Sequence, residues 1–295
     1  MRCRKLQLRD REWVTKLLHK DGGLGCQYTF ANQFLCQDIY LLTFRKFKRC
    51  LIRKSDETKE YVRYHFPFGE EKDRRNALKA LARQCRNSGQ RLLLYGVSDV
   101  GLSQLRELFS NRIRYEAIRA NQNYIYRTQD LQMLEGHSYE AQRRLIRRFE
   151  EKGDWSFERI TKENMQLVWD FNLRFLEERG KTDALMEEFY TFELAMKHYD
   201  QLKLEGELLK LNNEVVGFAI GEPLQTDMYL SLYEKALREI KGSYAMLIHG
   251  YASKRCKDYQ YLNRAEDMGE PGLRKAKLLY APTYLSDYYE AEILL

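Results

Sequence analysis

No window of this 295-residue sequence approaches the ~20 apolar residues that a membrane-spanning helix needs. The N-terminal run MRCRKLQLRDREW also has no apolar core of the kind an export leader carries. A transmembrane segment and a secretory leader are both unexpected. The six cysteines, at 3, 26, 36, 50, 85 and 256, include no CxxC pair, and no histidine stands at a metal-like spacing from any of them. A structural zinc site is therefore not expected, nor is a cofactor. Cys36 lies in the apolar run NQFLCQDIY, where a reduced thiol behaves as a small hydrophobe. A reducing, cytoplasmic compartment is the expectation.

Apolar residues at 44% and aromatic residues at 13% are ample for buried cores, so a disordered chain is not expected. The length exceeds one small core and predicts two compact halves. A formal charge of +7 favours phosphate-rich or anionic partners without naming one. Nothing in the composition fixes an oligomeric state.

The pattern is mixed α and β from the start. DREWVTKLLHK reads as a short helix and FANQFLCQ as a second apolar stretch, before strand-like IYLLTF, CLIRK and YVRYHF. From Glu70 to Ser88 the spacing of Ala77, Leu78, Leu81, Ala82 and Cys85 is helical, and Gly89 is a natural stop before the strand LLLYGV. QNYIYRTQDL supplies another strand, residues 138 to 151 an amphipathic helix, and WSFERIT a fresh strand. The boundary expected near there gives domains 1–145 and 146–295. The second half repeats the grammar, with helices across 162–201, strands GELLKLN, EVVGFAIGE and MYLSLYE, a helix from Tyr244, and YQYLNR. Asn212 and Asn213 between two alternating runs predict a hairpin turn, since Asn tolerates positive φ.

Three places concentrate chemistry. In SYEAQRRLIRRFEEK, Arg143 pairs with Arg147 and Arg144 with Arg148 at helical spacing, forming two columns of guanidinium suited to phosphate. The competing reading is a solvated face partnered by Glu140, Glu150 and Glu151. In MYLSLYE, strict alternation puts Glu234 at the end of an apolar row with Met228, Leu230 and Leu232. Desolvation there would raise its pKa and poise it as a general base, unless it pairs with Lys235 or Arg238. In YLNRAEDMGEPGLRKAKLLYAP, a strand runs into a loop and then a helix opened by Pro271, with Leu273, Ala276 and Tyr280 expected on its buried side and Lys277 at the edge. Lys277 then needs an anion, either Asp267 or Glu266 or a ligand. Asn263 and Arg264 leave the strand end, where α/β folds place ligands.

That last segment, together with YTFANQFLCQDIY, FPFGE, NYIYRTQDLQMLEG, RRLIRRFEE and YEKALREIKGSYAMLIHGYA in the same order, resembles the family that shares the C-terminal domain of bacterial phosphatidylglycerol lysyltransferases. The likeness spans nearly the whole chain. It departs at Cys36, where a tryptophan is expected, and at Gln142, Arg143 and Arg144, where Lys-Arg-Asn is expected. The resemblance implies two tandem GNAT-like domains, each a mixed central sheet flanked by helices, similar to Fem-type transferases that take amino acids from charged tRNA. The lysyltransferases' membrane-embedded flippase region has no counterpart in the sequence, so a phospholipid acceptor is not implied.

An acetyl-CoA enzyme would show Arg/Gln-x-x-Gly-x-Gly/Ala ahead of a helix. The nearest string noted, RNSGQR, ends in Arg91 and precedes a strand. The expectation is an aminoacyl or acyl transferase with charged tRNA or another phosphate-bearing donor. Glu234 would act as base, and Asn263, Arg264, Asp267, Gly269, Gly272, Arg274 and Lys277 would bind substrate. The alternatives are an acyl-CoA-dependent N-acyltransferase and a non-catalytic module that senses an anionic small molecule.

Overall fold

The computed structural model describes residues 3–110, 112–180 and 182–295. The chain divides into two compact units: residues 1–123, 266–269 and 286–295 form the first, and residues 124–265 and 270–285 the second.

The first unit contains helices α1 (Arg11–Asp21), α2 (Phe30–Cys36), α3 (Glu71–Ser88) and α4 (Asp99–Leu108). Its strands are β1 (Thr43–Phe47), β2 (Cys50–Glu57), β3 (Tyr61–His65), β4 (Phe68–Gly69), β5 (Arg91–Val97), β6 (Ile113–Ala117) and the C-terminal β14 (Tyr289–Ile293). They form one mixed sheet in the order β1-β2-β3-β5-β14-β6, with β4 beside β2. Among the described residues only β3 and β5 of this sheet pair in parallel, and helix α3 provides the crossover between them. The apolar stripe predicted on α3 is buried against one face of this sheet, where Ala77, Leu78, Leu81, Ala82 and Cys85 meet Cys50, Ile52, Val62, Leu92 and Leu94. Gly89 ends that helix, its N–H returning to the carbonyls of Cys85 and Arg86.

The second unit contains α5 (Thr128–Met133), α6 (Glu140–Glu150), α7 (Met165–Arg179), α8 (Asp183–Lys197), α9 (Tyr199–Leu202), α10 (Ser243–Lys254) and α11 (Pro271–Leu278). Its strands are β7 (Asn123–Arg127), β8 (Trp155–Arg159), β9 (Glu205–Leu211), β10 (Glu214–Pro223), β11 (Met228–Ala236), β12 (Tyr261–Asn263) and β13 (Tyr284–Ser286), ordered β13-β7-β12-β11-β10-β9-β8. The hairpin between β9 and β10 turns on Asn212 and Asn213, both at positive φ as their amides permit. Aromatic edges dominate the core: Phe192 packs on Phe218 and Tyr233, and Tyr229 on Tyr251. Each sheet is mixed and carries helices, as the sequence pattern predicts. The strand expected in IYLLTF begins only at Thr43, because residues 37–41 are taken up by a turn.

Candidate functional site: a parting pair of strands in the second unit

β12 runs parallel to β11 for three residue pairs, Met228 with Tyr261 through Leu230 with Asn263, and there it ends. β11 continues to Ala236, held on its other side by β10. The two strands therefore part at their carboxyl ends, the position at which α/β sheets admit ligands.

A bulge opposite Ile220 and Gly221 pairs those residues with Tyr233 and Ser231 and leaves Leu232 between them. One extra residue shifts the alternation, so Glu234 continues the row of Tyr229 and Ser231 rather than that of Met228 and Leu230. There it meets Arg264, the first residue beyond β12. Arg264 Nε donates to both carboxylate oxygens of Glu234 at 3.0 Å, and Nη2 donates to Oε2 at 2.5 Å. The guanidinium lies over the rings of Tyr126 and Tyr280, at 5.4 and 4.9 Å from their centroids, contacts worth ~1–2 kcal/mol each when desolvated.

The expected rise in the Glu234 pKa does not occur. Burial pushes it up, but the charge and hydrogen bonds of Arg264 and the charge of Lys277 together hold it below the usual carboxylate range. Glu234 is a fixed anion, and a fixed anion is a weak base. Arg264 is raised in turn: burial opposes its charge, but Glu234 more than compensates. Its remaining nitrogen, Nη1, is sealed from solvent and, among the described residues, has no hydrogen-bond partner.

α11 also sits differently from its predicted phase. Lys277 and Tyr280 are buried and Arg274 is half-buried, whereas Leu273 and Ala276 face solvent. Lys277 Nζ bonds the carbonyl of Arg264 at 2.5 Å and lies 5.5 Å from the Tyr124 ring centroid. Tyr126 Oη returns a bond to the Lys277 carbonyl at 2.8 Å. The lysine buries its stem and pins the residue that carries the guanidinium, which explains why a cation replaces leucine at the centre of the helix seam. Gln142, where the family pattern departs, is buried and donates to the Leu279 carbonyl, and Tyr139 donates to that of Tyr280.

Of the residues singled out in the sequence, the structure brings together Glu234, Arg264 and Lys277. Asn263 stands behind them, fully buried in β12, its side-chain oxygen accepting from the Ala265 N–H at 2.6 Å. Gly272 lies exposed in the first turn of α11. Asp267 and Gly269 belong to the first unit, where Asp267 accepts from Arg119 at 3.1 Å and from the Gly269 N–H at 2.9 Å. The two arginine columns are reduced to one and a half. Arg143 turns back to the carbonyls of Leu134 and Gly136, while Arg144, Arg147 and Arg148 stay exposed.

Two groups were missed. Lys235 is buried in the second unit, bonded to Asn172 Oδ1 at 2.7 Å, ion-paired with Glu188 and set over the Phe175 and Phe192 rings. It ties α7 and α8 to β11. The other is the turn from β11 into α10. Gly242 precedes that helix at φ +96°, and a methyl there would collide with the Leu145 carbonyl, so only glycine fits. Arg238 and Lys241 stand exposed just ahead of it, and Ser243 Oγ folds back on the Leu237 carbonyl at 2.5 Å. The signal was the string REIKGSY after a strand and before a helix, with one residue more between arginine and glycine than in the pattern sought. Among the described residues no three His, Cys, Asp or Glu side chains are placed to hold a metal ion.

This architecture is two helix-flanked mixed sheets, with two parallel strands of the second parting at their carboxyl ends. The chain belongs to the phosphatidylglycerol lysyltransferase C-terminal family, which matches residues 22–291. It is similar over 99% of its length to 99% of a conserved protein of unknown function from Bacteroides thetaiotaomicron, at 27% identity and a TM-score of 0.89. It also resembles L-PGS from Bacillus licheniformis (15% identity, TM-score 0.65, 95% of this chain and 91% of that one). FemX is a third match (12% identity, TM-score 0.63, 100% and 98%). The last two likenesses establish the fold. No curated protein matches the chain. Among the described residues no helix is long and apolar enough to cross a membrane.

Proposed function

We propose that the chain transfers an aminoacyl group from charged tRNA to an amine or hydroxyl acceptor, using the opening between β11 and β12. The observation that carries this reading is the unpartnered, sealed Nη1 of Arg264 at the end of the parting strands. A guanidinium whose other donors are locked on Glu234 has one N–H left over, which an entering donor would uncover to meet negative charge as it develops, on the carbonyl oxygen under attack or on the departing ribose oxygen. A neutral amine attacks the ester carbonyl, the C–N bond forms, the C–O bond to the ribose breaks, and the proton passes to the ribose hydroxyl. Glu234 is a positioning residue in this scheme, since its proton affinity is too low for a base. Family membership supports the reaction class.

Arg144, Arg147 and Arg148, with Arg238 and Lys241, are proposed to meet tRNA phosphates. Gly242 and the start of α10 favour one second reading, an acyl-CoA donor whose pyrophosphate takes that turn. Incubating the protein with radiolabelled aminoacyl-tRNA or acyl-CoA and a mixed panel of amines and hydroxyl-bearing lipids separates the two readings. Label leaving tRNA for a stable product supports the first, and label leaving only CoA supports the second. Label leaving neither rejects both.

A further inference from the structure

We propose that the first unit holds a separate ligand site, at Arg53, for the carboxylate of a small organic molecule. On β2 the residues Cys50 and Ile52 enter the core under α3, so Leu51 and Arg53 lie on the opposite face of the sheet. Arg53 is 7% exposed and, among the described residues, makes no ion pair. Among the described residues its one hydrogen bond runs from Nη1 to Gln33 Oε1 at 2.8 Å, leaving the Nε–Nη2 edge without a partner; Nε is sealed from solvent. The ring centroids of Tyr95 and Phe68 lie 5.0 and 5.7 Å from the guanidinium carbon.

A buried charge with one neutral hydrogen-bond partner is costly unless something else pairs with it. Among the described residues no carboxylate stands within ion-pair distance of it. Asp21 is taken by Arg74 at 3.0 Å and by the Gly69 N–H at 2.6 Å. Glu290 is taken by Arg63, and Glu266 accepts from the Cys26 thiol at 3.6 Å. Cys26 and Cys36 lie within electrostatic reach, but burial pushes both thiols up, Cys36 to about 11, so they stay neutral. His65 is fully buried and stacked on Phe68, its Nδ1 on the Phe66 carbonyl at 2.6 Å and its Nε2 without a partner. The Tyr95 hydroxyl likewise lacks a partner.

The Nε–Nη2 edge of a guanidinium, unpartnered at Arg53, is the side-on fork that a carboxylate fills with two parallel bonds. One cation between aromatic faces matches a monoanion with an organic body. A phosphate dianion would bring in one charge too many. The Tyr95 hydroxyl adds a donor.

The test is thermal unfolding of the full chain with sodium benzoate, sodium acetate or inorganic phosphate, at ionic strength held constant with sodium chloride. Benzoate and acetate are expected to raise the midpoint saturably, and phosphate to leave it in place. In Arg53→Met the ligand-free midpoint should be equal or higher, because an uncompensated charge has been removed, and the carboxylate response should vanish. Arg53→Lys keeps the charge without the fork and should weaken benzoate binding ~tenfold, and Tyr95→Phe should weaken it less. No saturable response in the wild type, an equal response to phosphate, an unchanged response in Arg53→Lys, or an Arg53→Met chain that fails to fold would each overturn the proposal.

Discussion

Arg53 and Arg264 are buried to the same degree, each 7% exposed, and each is flanked by two aromatic rings. They differ in what completes them. Arg264 has a bidentate carboxylate, whereas Arg53 has one glutamine oxygen. The first is an internally neutralised device with one donor to spare, and the second is a charge waiting for a counter-ion. Burial alone therefore does not tell what a buried arginine can take; which of its donors are filled, and by what, does.

The largest expected effect breaks the compensated arginine. Glu234→Gln leaves Arg264 buried and unpaired and should cost ~3–5 kcal/mol in urea unfolding, whereas Arg53→Met should cost nothing. Equal losses in the two variants would dissolve the distinction. Next comes Gly96→Ala. Gly96 sits at φ +65°, and a methyl there would meet His65 Nε2. The strained backbone alone is worth ~1–3 kcal/mol, so a thermal midpoint unchanged from wild type would show that His65 is not fixed where described.

Acid sharpens the comparison further. The Glu234 pKa is lowered in the folded state, so its contribution is present above the ordinary carboxylate value of 4.5 and is lost as pH falls through the lowered value. Asp10 adds a similar loss: hydrogen bonds from Arg4, the Gln7 N–H and Trp13 hold it at about 2 despite its burial. Unfolding free energy measured against pH should fall below that ordinary value in the wild type and fall less steeply in Glu234→Gln. Parallel slopes would mean that Glu234 is not held ionised. Smallest is the surface. Arg144→Ala and Arg148→Ala should change stability by no more than about 0.5 kcal/mol. Together they should flatten the salt dependence of tRNA binding by about one unit of slope for each phosphate that is no longer neutralised.

Much of this architecture was legible in the residues. The α3 stripe, its glycine stop and the Asn212-Asn213 turn each rest on local rules that tertiary packing reinforced. Glu234, Arg264 and Lys277 were found because charges beside apolar rows are conspicuous. Their relations were hidden by two non-local events. The bulge at Leu232 moved Glu234 to the other face, and the docking of α11 turned Lys277 inward while Leu273 was left in solvent. Arg53 was invisible in CLIRK, where alternation makes it one more strand residue. Its significance comes from the acid that is not opposite it.

The central claim is that Arg264, held by Glu234, receives the charge that develops during transfer. Single-turnover transfer from radiolabelled aminoacyl-tRNA to a responsive acceptor, compared between wild type and Arg264→Lys, tests it most directly. The account predicts a rate lowered by ~10²-fold or more with donor affinity little changed, because lysine keeps the charge but not the fork. A rate equal to wild type in the folded variant would contradict it.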